Sequence, residues 1–175
     1  MPAASTVSRE VFKPHLEIKG KYLLSGDIQV SGAKNSALAL MAASLLTEEK
    51  LLLSNVPELT DIAGMSEILL TMGVKIKREE NNVSIQADDL HHVELSYELA
   101  HGLRASFFCI GPLLAKLGKA KIPLPGGCQI GARPVLEHIR GLKALGAYIN
   151  VEHGVVTAAI PGERNRLKGA DIVLD

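Results

Sequence analysis

The stretch PLPGGCQIGARP, at residues 123–134, places a cysteine and an arginine among six proline and glycine residues. Cys128 follows two glycines, and Arg133 comes five residues later. Glycines let backbone amides approach a ligand closely, and amide dipoles together with a guanidinium group stabilise a thiolate. The stretch therefore predicts a reactive thiol beside a positive charge, although a tight structural loop with an incidental thiol has the same composition.

Two further basic residues occupy related positions in the chain. Lys34 lies in SGAKNS, at an expected strand-to-helix turn, and Arg104 lies in GLRASF, seventy residues further on. The N-terminus of a helix offers unpaired N–H groups and the positive end of the helix dipole, and both favour an anion. A solvated surface role explains either residue alone. Their related positions make anion binding an equally good interpretation of the pair.

Three cations and one thiol indicate a small phosphorylated substrate that also carries a carboxylate. Arginine binds phosphate or carboxylate in a bidentate way, and lysine acts as a point charge. SGAKNS lacks the second glycine and the Gly-Lys-Ser/Thr ending of a P-loop, and GGCQIG is not the dinucleotide fingerprint. The sequence contains no metal-ligand spacing and no Ser–His–Asp order, so it predicts no cofactor and no metal.

The remaining candidate side chains have simpler interpretations. His91 and His92 are adjacent in a polar turn and are predicted to be a solvated pair rather than a metal site. Cys109, in SFFCIGPLL, is predicted to lie in the core. His138 is predicted to lie on the surface of a helix close to Arg133.

The elements that position these residues follow a strand–helix–strand–helix–hairpin order, which predicts an α/β fold. The alternation of GDIQVS (26–31) predicts a strand, and NSALALMAASLLTEE (35–49) is rich in helix-forming alanine and leucine. KLLLSNV (50–56) is a short apolar strand. TDIAGMSEILLTMG (60–73) predicts an amphipathic helix capped by its Thr–Asp start and its terminal glycine, and VKIKREENNVSIQA (74–87) a hairpin.

The same order then recurs in the second half of the chain. A helical stretch interrupted by Gly102 and Pro112 comes first, and a later helix has Pro134 at its first position, Arg133 at its cap and Gly146 at its end. The segments are YELAHGLRASFFCIGPLLAKLG (97–118), KAKIPL (119–124), PVLEHIRGLKALG (134–146) and the hairpin AYINVEHGVVTAAI (147–160). LLTMGVKI and LKALGAYI end the second helix of each copy alike, about seventy residues apart.

A third copy is predicted to begin near the end of the chain. LLSGDIQV (23–30) is echoed by LKGADIVL (167–174), which indicates the first strand of another repeat. A lone strand leaves its edge and its apolar face without a partner, so we expect these 175 residues to be part of a longer protein. The alternative is a two-repeat domain that covers this strand in another way. The expected division is a loose tail over 1–15 and a domain over 16–175, with repeats at about 20–90 and 91–165.

Composition limits the class of protein. The chain is 47% hydrophobic and 22% charged, which is typical of a globular protein. Nineteen basic and nineteen acidic residues cancel, so the net charge gives no basis for binding nucleic acid or an anionic membrane. The longest apolar runs, ALALMAASLL and FFCIGPLLA, are too short to span a bilayer. The first fifteen residues lack the apolar core of a secretory signal, so a cytoplasmic location is expected.

SGAKNSAL, LRAS, GPLLAKLG and above all LPGGCQIGARPV resemble the UDP-N-acetylglucosamine 1-carboxyvinyltransferase family of enolpyruvyl transferases, from about Leu16 to Asp175. That family moves the enolpyruvyl group of phosphoenolpyruvate to the 3-hydroxyl of UDP-N-acetylglucosamine and releases phosphate, in the first committed step of peptidoglycan synthesis. The resemblance implies an inside-out α/β barrel fold, with two domains of three such repeats each and the active site between them. It also implies that this chain lacks the second domain and has little turnover by itself.

The resemblance further implies a role for each candidate residue. Cys128 matches the catalytic cysteine, which protonates the enol methylene, can form a covalent adduct with phosphoenolpyruvate and is alkylated by fosfomycin. Lys34 and Asn35 match substrate contacts, and Arg104 and Arg133 match guanidinium clamps around phosphate and carboxylate. The other implied substrate-binding positions are Pro134, Val135, Leu136 and Glu137.

Two features leave questions open at this point. Leu136 stands where the family usually has an aspartate near the uracil, which puts recognition of uracil by a side-chain carboxylate in doubt. Positive surroundings lower the pKa of a thiol, whereas a general acid must hold its proton, so we expect bound anionic substrate to raise the pKa of Cys128 again. The alternatives are a non-catalytic module that binds a UDP-sugar or phosphoenolpyruvate, and a transferase for shikimate 3-phosphate, against which the cysteine loop counts.

Overall fold

A computed structural model describes residues 16–126, 135–162 and 166–173 of the chain. The chain divides into two units, Met1–Val30 and Ser31–Asp175. In the first unit, residues 16–30 form neither helix nor strand, and every one of them is exposed. The strand predicted for 26–31 is therefore wrong. Alternating side chains alone do not make a strand, which forms where a neighbouring backbone completes the hydrogen-bond ladder.

The second unit contains two similar sets of elements, and the first set runs from α1 to β3. α1 is rich in alanine and leucine and buries one face through Ala37, Leu38, Met41 and Ala42, as a helix against a core does. A short 3-10 turn continues it, so the predicted helix ends before Thr47. The elements are α1 (Lys34–Ala43), the 3-10 turn (Ser44–Leu46), β1 (Leu51–Leu53), α2 (Thr60–Thr71), β2 (Lys75–Glu79) and β3 (Asn82–Gln86).

The helix α2 forms where predicted, but its start differs from the prediction. Leu59 is the N-cap residue, Thr60 is already helical, and no side chain in the described part of the chain caps this end. Asp61 instead turns its carboxylate towards α1. The C-terminal end follows the prediction, because Gly73 adopts a φ of 91°, which a glycine reaches without strain.

The second set repeats this order with one additional short helix. Its elements are α3 (Tyr97–Gly102), a 3-10 helix (Arg104–Cys109), α4 (Ile110–Leu117), β4 (Lys119–Pro123), α5 (Leu136–Ala144), β5 (Tyr148–Glu152) and β6 (Val155–Ala159). The interruption predicted at Pro112 is wrong, because Pro112 lies inside α4. It lies in the first turn of α4, where the N–H that proline lacks has no intrahelical partner anyway. The break falls at Leu103, whose backbone is extended.

The predicted start of α5 is also wrong. Val135 is the N-cap residue and α5 begins at Leu136, so Pro134 is not the first helical residue and Arg133 is not the cap. Gly146, with a φ of 92°, ends this helix as predicted.

Each set contributes one antiparallel three-stranded sheet, ordered β1-β3-β2 in the first and β4-β6-β5 in the second. The two hairpins have two-residue turns whose first residues, Glu80 and His153, adopt φ values of 52° and 50°. In the second sheet a single parallel bridge joins Glu94 to Lys121 at the free edge of β4. The two halves of the second unit therefore share one topology.

The helices cover one face of each sheet and form a common core. Met41 of α1 and Met65 of α2 are fully buried, as are Leu113 of α4 and Ile122 of β4. α1 packs against α2 and against the 3-10 helix of the second set, which joins the two halves. This packing fixes where the first residues of α1 and of that 3-10 helix lie.

The echo of the first strand near the end of the chain does not form the predicted strand. Residues 166–173 form neither helix nor strand. They are held at two points, because the Lys168 N–H donates to the Leu145 carbonyl over 2.9 Å and the Arg140 guanidinium donates to the Val173 carbonyl. Throughout the described ranges, no helix is long and apolar enough to cross a membrane.

Candidate functional site

Lys34 is the first residue of α1, as the sequence predicts. Ala33 precedes it as N-cap in an extended conformation, and no side chain of the described residues caps this helix end. The first N–H groups of α1 therefore keep their capacity to bind an acceptor, and the dipole of the helix adds a positive field there. Asn35 follows in the first turn and is exposed.

The ammonium group of Lys34 is held by a carboxylate of this chain. Its Nζ lies 2.5 Å from Asp61 Oδ2, and the two side chains are 42% and 38% exposed. Asp61 is the second residue of α2, so the pair connects the N-terminal turns of the two helices. The carboxylate restrains the ammonium group and also offsets its positive charge, so an anion that binds here would compete with Asp61 for it.

A second contact fixes the turn before Lys34. The Gly32 N–H donates to Asn55 Oδ1 over 3.1 Å. A Cβ at Gly32 would lie 1.7 Å from the Asn55 carbonyl oxygen, so the two backbones approach as closely as glycine allows. Asn55 itself adopts a φ of 54°, a conformation that asparagine reaches more readily than most residues.

Arg104 occupies the equivalent place in the second set, as predicted from the seventy-residue offset. It is the first residue of the 3-10 helix Arg104–Cys109 and is partly buried. This helix packs against α1, the helix that Lys34 begins. The prediction that both cations lie at the start of helical segments is confirmed, and the ligand they would bind remains a prediction.

Cys128, Arg133 and Pro134 lie outside the described residues, but the residues that lead to this segment are described. The Leu124 N–H donates to the Gly154 carbonyl over 2.7 Å, and the Gly126 N–H donates to the His101 carbonyl over 3.2 Å. A Cβ at Gly126 would lie 2.5 Å from the His101 ring, which is stacked on Tyr97 with centroids 5.3 Å apart. A side chain at residue 126 would therefore displace the exposed His101 ring.

Val135, Leu136 and Glu137, which follow the undescribed segment, differ in their surroundings. Val135 is 6% exposed and belongs to the core, whereas Leu136 is 65% exposed. Glu137 Oε1 lies 3.4 Å from Arg140 Nη1, one turn along α5. Glu137 Oε2 is buried and accepts no hydrogen bond from the described part of the chain. The carboxylate of this segment therefore stands one position after Leu136.

The minor candidates behave as their composition predicts. Cys109 is fully buried, and desolvation raises the pKa of its thiol to about 12. His91 and His92 are both exposed, with ring centroids 4.4 Å apart. His138 is exposed and packs edge-on against Phe107, with centroids 5.7 Å apart. The predicted core thiol, solvated pair and surface histidine are confirmed.

Sequence reasoning does not find three residues that build the site. For Asp61 the sequence gives a partial indication. An acidic residue is favoured in the first turn of a helix by the helix dipole, but this does not reveal that it pairs with Lys34. Asn55 and His101 carry none that a single sequence reveals, since their contacts at Gly32 and Gly126 join segments 23 and 25 residues apart.

Comparison with known proteins identifies the family to which this arrangement belongs. The chain matches the EPSP synthase (3-phosphoshikimate 1-carboxyvinyltransferase) family over residues 18–175. The chain belongs to this family. Its resemblance to the enolpyruvyl transferases and its predicted α/β class are thereby confirmed.

Similar curated proteins carry one name. The chain is 66% identical over 175 residues to a protein named UDP-N-acetylglucosamine 1-carboxyvinyltransferase from Prochlorococcus marinus (strain MIT 9313). It is 60% identical over 175 residues to a protein of the same name from Parasynechococcus marenigrum (strain WH8102). Each match covers 100% of this chain and 40% of the relative, so the chain spans about two fifths of their length.

Solved structures with the same fold are more distant in sequence. The enolpyruvyl transferase NikO from Streptomyces tendae superposes with a TM-score of 0.69 at 20% identity, over 83% of this chain and 31% of that protein. An EPSP synthase from Acinetobacter baumannii gives a TM-score of 0.61 at 20% identity, over 84% of this chain and 34% of that protein. At this level of identity the two structures show the fold alone.

Proposed function

We propose that the chain is part of a transferase that moves the enolpyruvyl group of phosphoenolpyruvate to the 3-hydroxyl of UDP-N-acetylglucosamine. The observation that carries the proposal is the 66% identity, over all 175 residues, to a relative named for this activity. The shikimate alternative has the family description on its side, but its solved representatives share only 20% of the sequence.

Two parts of this reaction have candidate groups in the chain, the protonation of phosphoenolpyruvate and the binding of its charges. The 3-hydroxyl gives its proton to a base and its oxygen bonds to C2 of phosphoenolpyruvate while C3 gains a proton, and loss of phosphate with a proton from C3 then restores the double bond. None of the residues named here is proposed as that base. Cys128 is the proposed donor of the proton to C3. Lys34, Arg104 and Arg133 are proposed to bind the phosphate and carboxylate charges, and Asn35 to contact the substrates from the first turn of α1.

The geometry at Lys34 supports its proposed part. An anion near the start of α1 would receive the ammonium group, the unpaired N–H groups of the first turn and the field of the helix. Asp61 holds the ammonium group beside the first turn of α2. Positioning before binding lowers the entropy that a flexible lysine would otherwise lose when the anion arrives.

Residues 134–137 are proposed to contribute to binding of the nucleotide. Pro134, Val135, Leu136 and Glu137 are the candidate residues, and Val135 and Leu136 differ sharply in exposure. With Leu136 in place of an aspartate, contacts to the uracil would come from the backbone. The proposed setting of the reaction is the cytoplasm, where phosphoenolpyruvate and nucleotide sugars are made.

The experiment that tests the proposal is covalent labelling of the thiols. The whole chain is incubated with fosfomycin, with or without UDP-N-acetylglucosamine, and analysed by intact mass and peptide mapping. We expect one adduct on Cys128, which is lost in Cys128→Ser. Cys109 is the internal control, because it is fully buried and its pKa is raised to about 12. Equal labelling of both cysteines by a folded chain would contradict the proposal.

Two variations of this experiment separate the alternatives. Shikimate 3-phosphate in place of the UDP-sugar should leave the rate of adduct formation unchanged, and an increase specific to it would favour the shikimate-type transferase. Phosphoenolpyruvate should protect Cys128 or form its own adduct there, since a thiol that acts on C3 must lie beside it. Binding of both substrates with an inert Cys128 in the complete protein would favour a non-catalytic module.

A titration tests the expected behaviour of the thiol. Positive neighbours should hold the pKa of Cys128 below that of an ordinary cysteine, and bound phosphoenolpyruvate should raise it, because the anion offsets their charge. The ultraviolet absorbance of the thiolate in Cys109→Ala, measured against pH with and without phosphoenolpyruvate, reports both values. Identical curves would contradict the idea that the substrate restores the proton.

A further inference from the structure

We propose that Asn55 is a positioning residue that holds the Lys34–Asn35 turn in the conformation that binds the anionic substrate. This proposal rests on the proposed function, because that function makes the turn a binding site for phosphoenolpyruvate. Asn55 lies in the connection between β1 and α2 and is remote in sequence from the turn. It acts through Gly32, two residues before the lysine.

The first support is the hydrogen bond at Gly32. The Gly32 N–H precedes α1 and lies outside the helix, so it has no partner from the helix ladder. Asn55 Oδ1 accepts it over 3.1 Å. Because only the oxygen of the amide can accept, the side chain of Asn55 has one orientation that satisfies the contact.

The second support is the close approach of the backbones. The Asn55 carbonyl oxygen occupies the space into which any side chain at residue 32 would project, at 1.7 Å from an ideal Cβ. The same residue thus bonds to Gly32 through its side-chain oxygen and leaves no room for a side chain there through its main-chain oxygen. The hydrogen bond and the close packing together limit how far the turn can move relative to Asn55.

The third support is that Asn55 is itself anchored. The next residue, Val56, is 2% exposed, and its N–H donates to the Asn81 carbonyl over 2.8 Å. The Val56 carbonyl accepts from Arg78 Nη2 over 2.9 Å. The β2–β3 hairpin therefore supports the segment that supports the turn, and Asp61, six residues after Asn55, holds the lysine side chain.

Two substitutions at Asn55 separate its side-chain oxygen from its backbone conformation. Asn55→Gly removes the acceptor and keeps the φ of 54° accessible without strain. Asn55→Asp keeps an oxygen acceptor in a residue that also tolerates this conformation. The matched control is Glu80→Gly, which replaces another residue with positive φ, at 52°, in the hairpin that anchors Val56.

The measurements use the whole ¹⁵N-labelled chain. Amide hydrogen exchange at Gly32 reports the hydrogen bond without any ligand, and titration with phosphoenolpyruvate, followed at the Gly32 and Asn35 amides, reports the affinity. In Asn55→Gly we expect Gly32 to lose its protection and the Kd for phosphoenolpyruvate to rise about tenfold, which corresponds to about 1.4 kcal/mol. Asn55→Asp and Glu80→Gly should keep both properties within about twofold of the unmodified chain.

Three results would overturn the proposal. They are protection of Gly32 that survives in Asn55→Gly, loss of protection with an unchanged Kd, and an equal rise of the Kd in Asn55→Gly and Glu80→Gly. If the unmodified chain does not bind phosphoenolpyruvate, the substrate-binding purpose given to the turn fails in this chain, and the labelling of Cys128 tests the proposed function separately. The exchange at Gly32 still decides whether Asn55 holds it.

Discussion

Replacing Gly32 by alanine tests how tightly the turn before Lys34 is built. The backbone of Gly32 has no positive φ, so its conformation is open to alanine and the cost comes from contact alone. The added Cβ would lie 1.7 Å from the Asn55 carbonyl oxygen and 2.9 Å from its carbonyl carbon, whereas real Cβ contacts stay above 3.0 Å. Either α1 with its turn or the Asn55 segment must move, and both belong to the packed second unit.

We expect Gly32→Ala to lower the free energy of unfolding by about 2 to 3 kcal/mol, the upper part of the range for overpacked sites. For a unit of this size, the melting temperature should fall by roughly 5–10 °C. The assay is urea and thermal unfolding followed by circular dichroism. The control is Gly141→Ala inside α5, where a Cβ meets nothing within 4 Å, so alanine should stabilise the helix by up to about 1 kcal/mol. A Gly32→Ala chain as stable as the unmodified one would refute the reasoning.

Three further predictions follow from individual positions. Gly146→Ala should cost about 1 kcal/mol in urea unfolding, because residue 146 has a φ of 92° with open space around it, and Gly146→Asn should cost less. Asp88→Asn should make the loss of stability below pH 4 less steep in acid titrations. The hydrogen bond from Lys75 lowers the pKa of Asp88, so its contribution is present above the ordinary value of 3.8 and disappears as the pH falls through the lowered one. Cys109 should stay unreactive towards a disulfide reagent at pH 8 and react after unfolding in urea, and rapid reaction in the folded chain would contradict its burial.

The hairpins and α2 could be predicted because their signals are local. Alternation over 74–87 and 147–160 identifies two hairpins whose turns fall at Glu80 and His153. The strands predicted at 26–31 and 167–174 carry the same alternation but do not form in the described residues. Alternation shows which face a strand would bury, but a strand also needs a neighbouring backbone, and the pattern contains no information about that neighbour.

The candidate site shows the same division between local and distant information. The place of Lys34 at the start of α1 follows from the residues on either side of it. Its partner Asp61 is 27 residues away, and the Asn55–Gly32 hydrogen bond spans 23 residues. Both depend on how α1 packs against α2 and on the path of the chain between β1 and α2. A single sequence indicates which residues could do chemistry, whereas packing decides which side chains hold them.

Equivalent positions in the two repeats differ in their ion-pair partners. Asp61 is the second residue of α2, and Glu137 is the second residue of α5, the corresponding helix. Asp61 reaches across to Lys34 on the first helix of its own repeat, but Glu137 directs Oε1 along its own helix to Arg140, 3.4 Å away. Glutamate is longer by one methylene and has an arginine three residues on, so a local pair competes with the distant one. The repeats therefore preserve the backbone, because its pairing depends on patterns shared by both copies, whereas ion pairs depend on individual side chains and have diverged. For these two residues, the position in the helix can be predicted from one repeat to the other. The residue with which each forms an ion pair cannot.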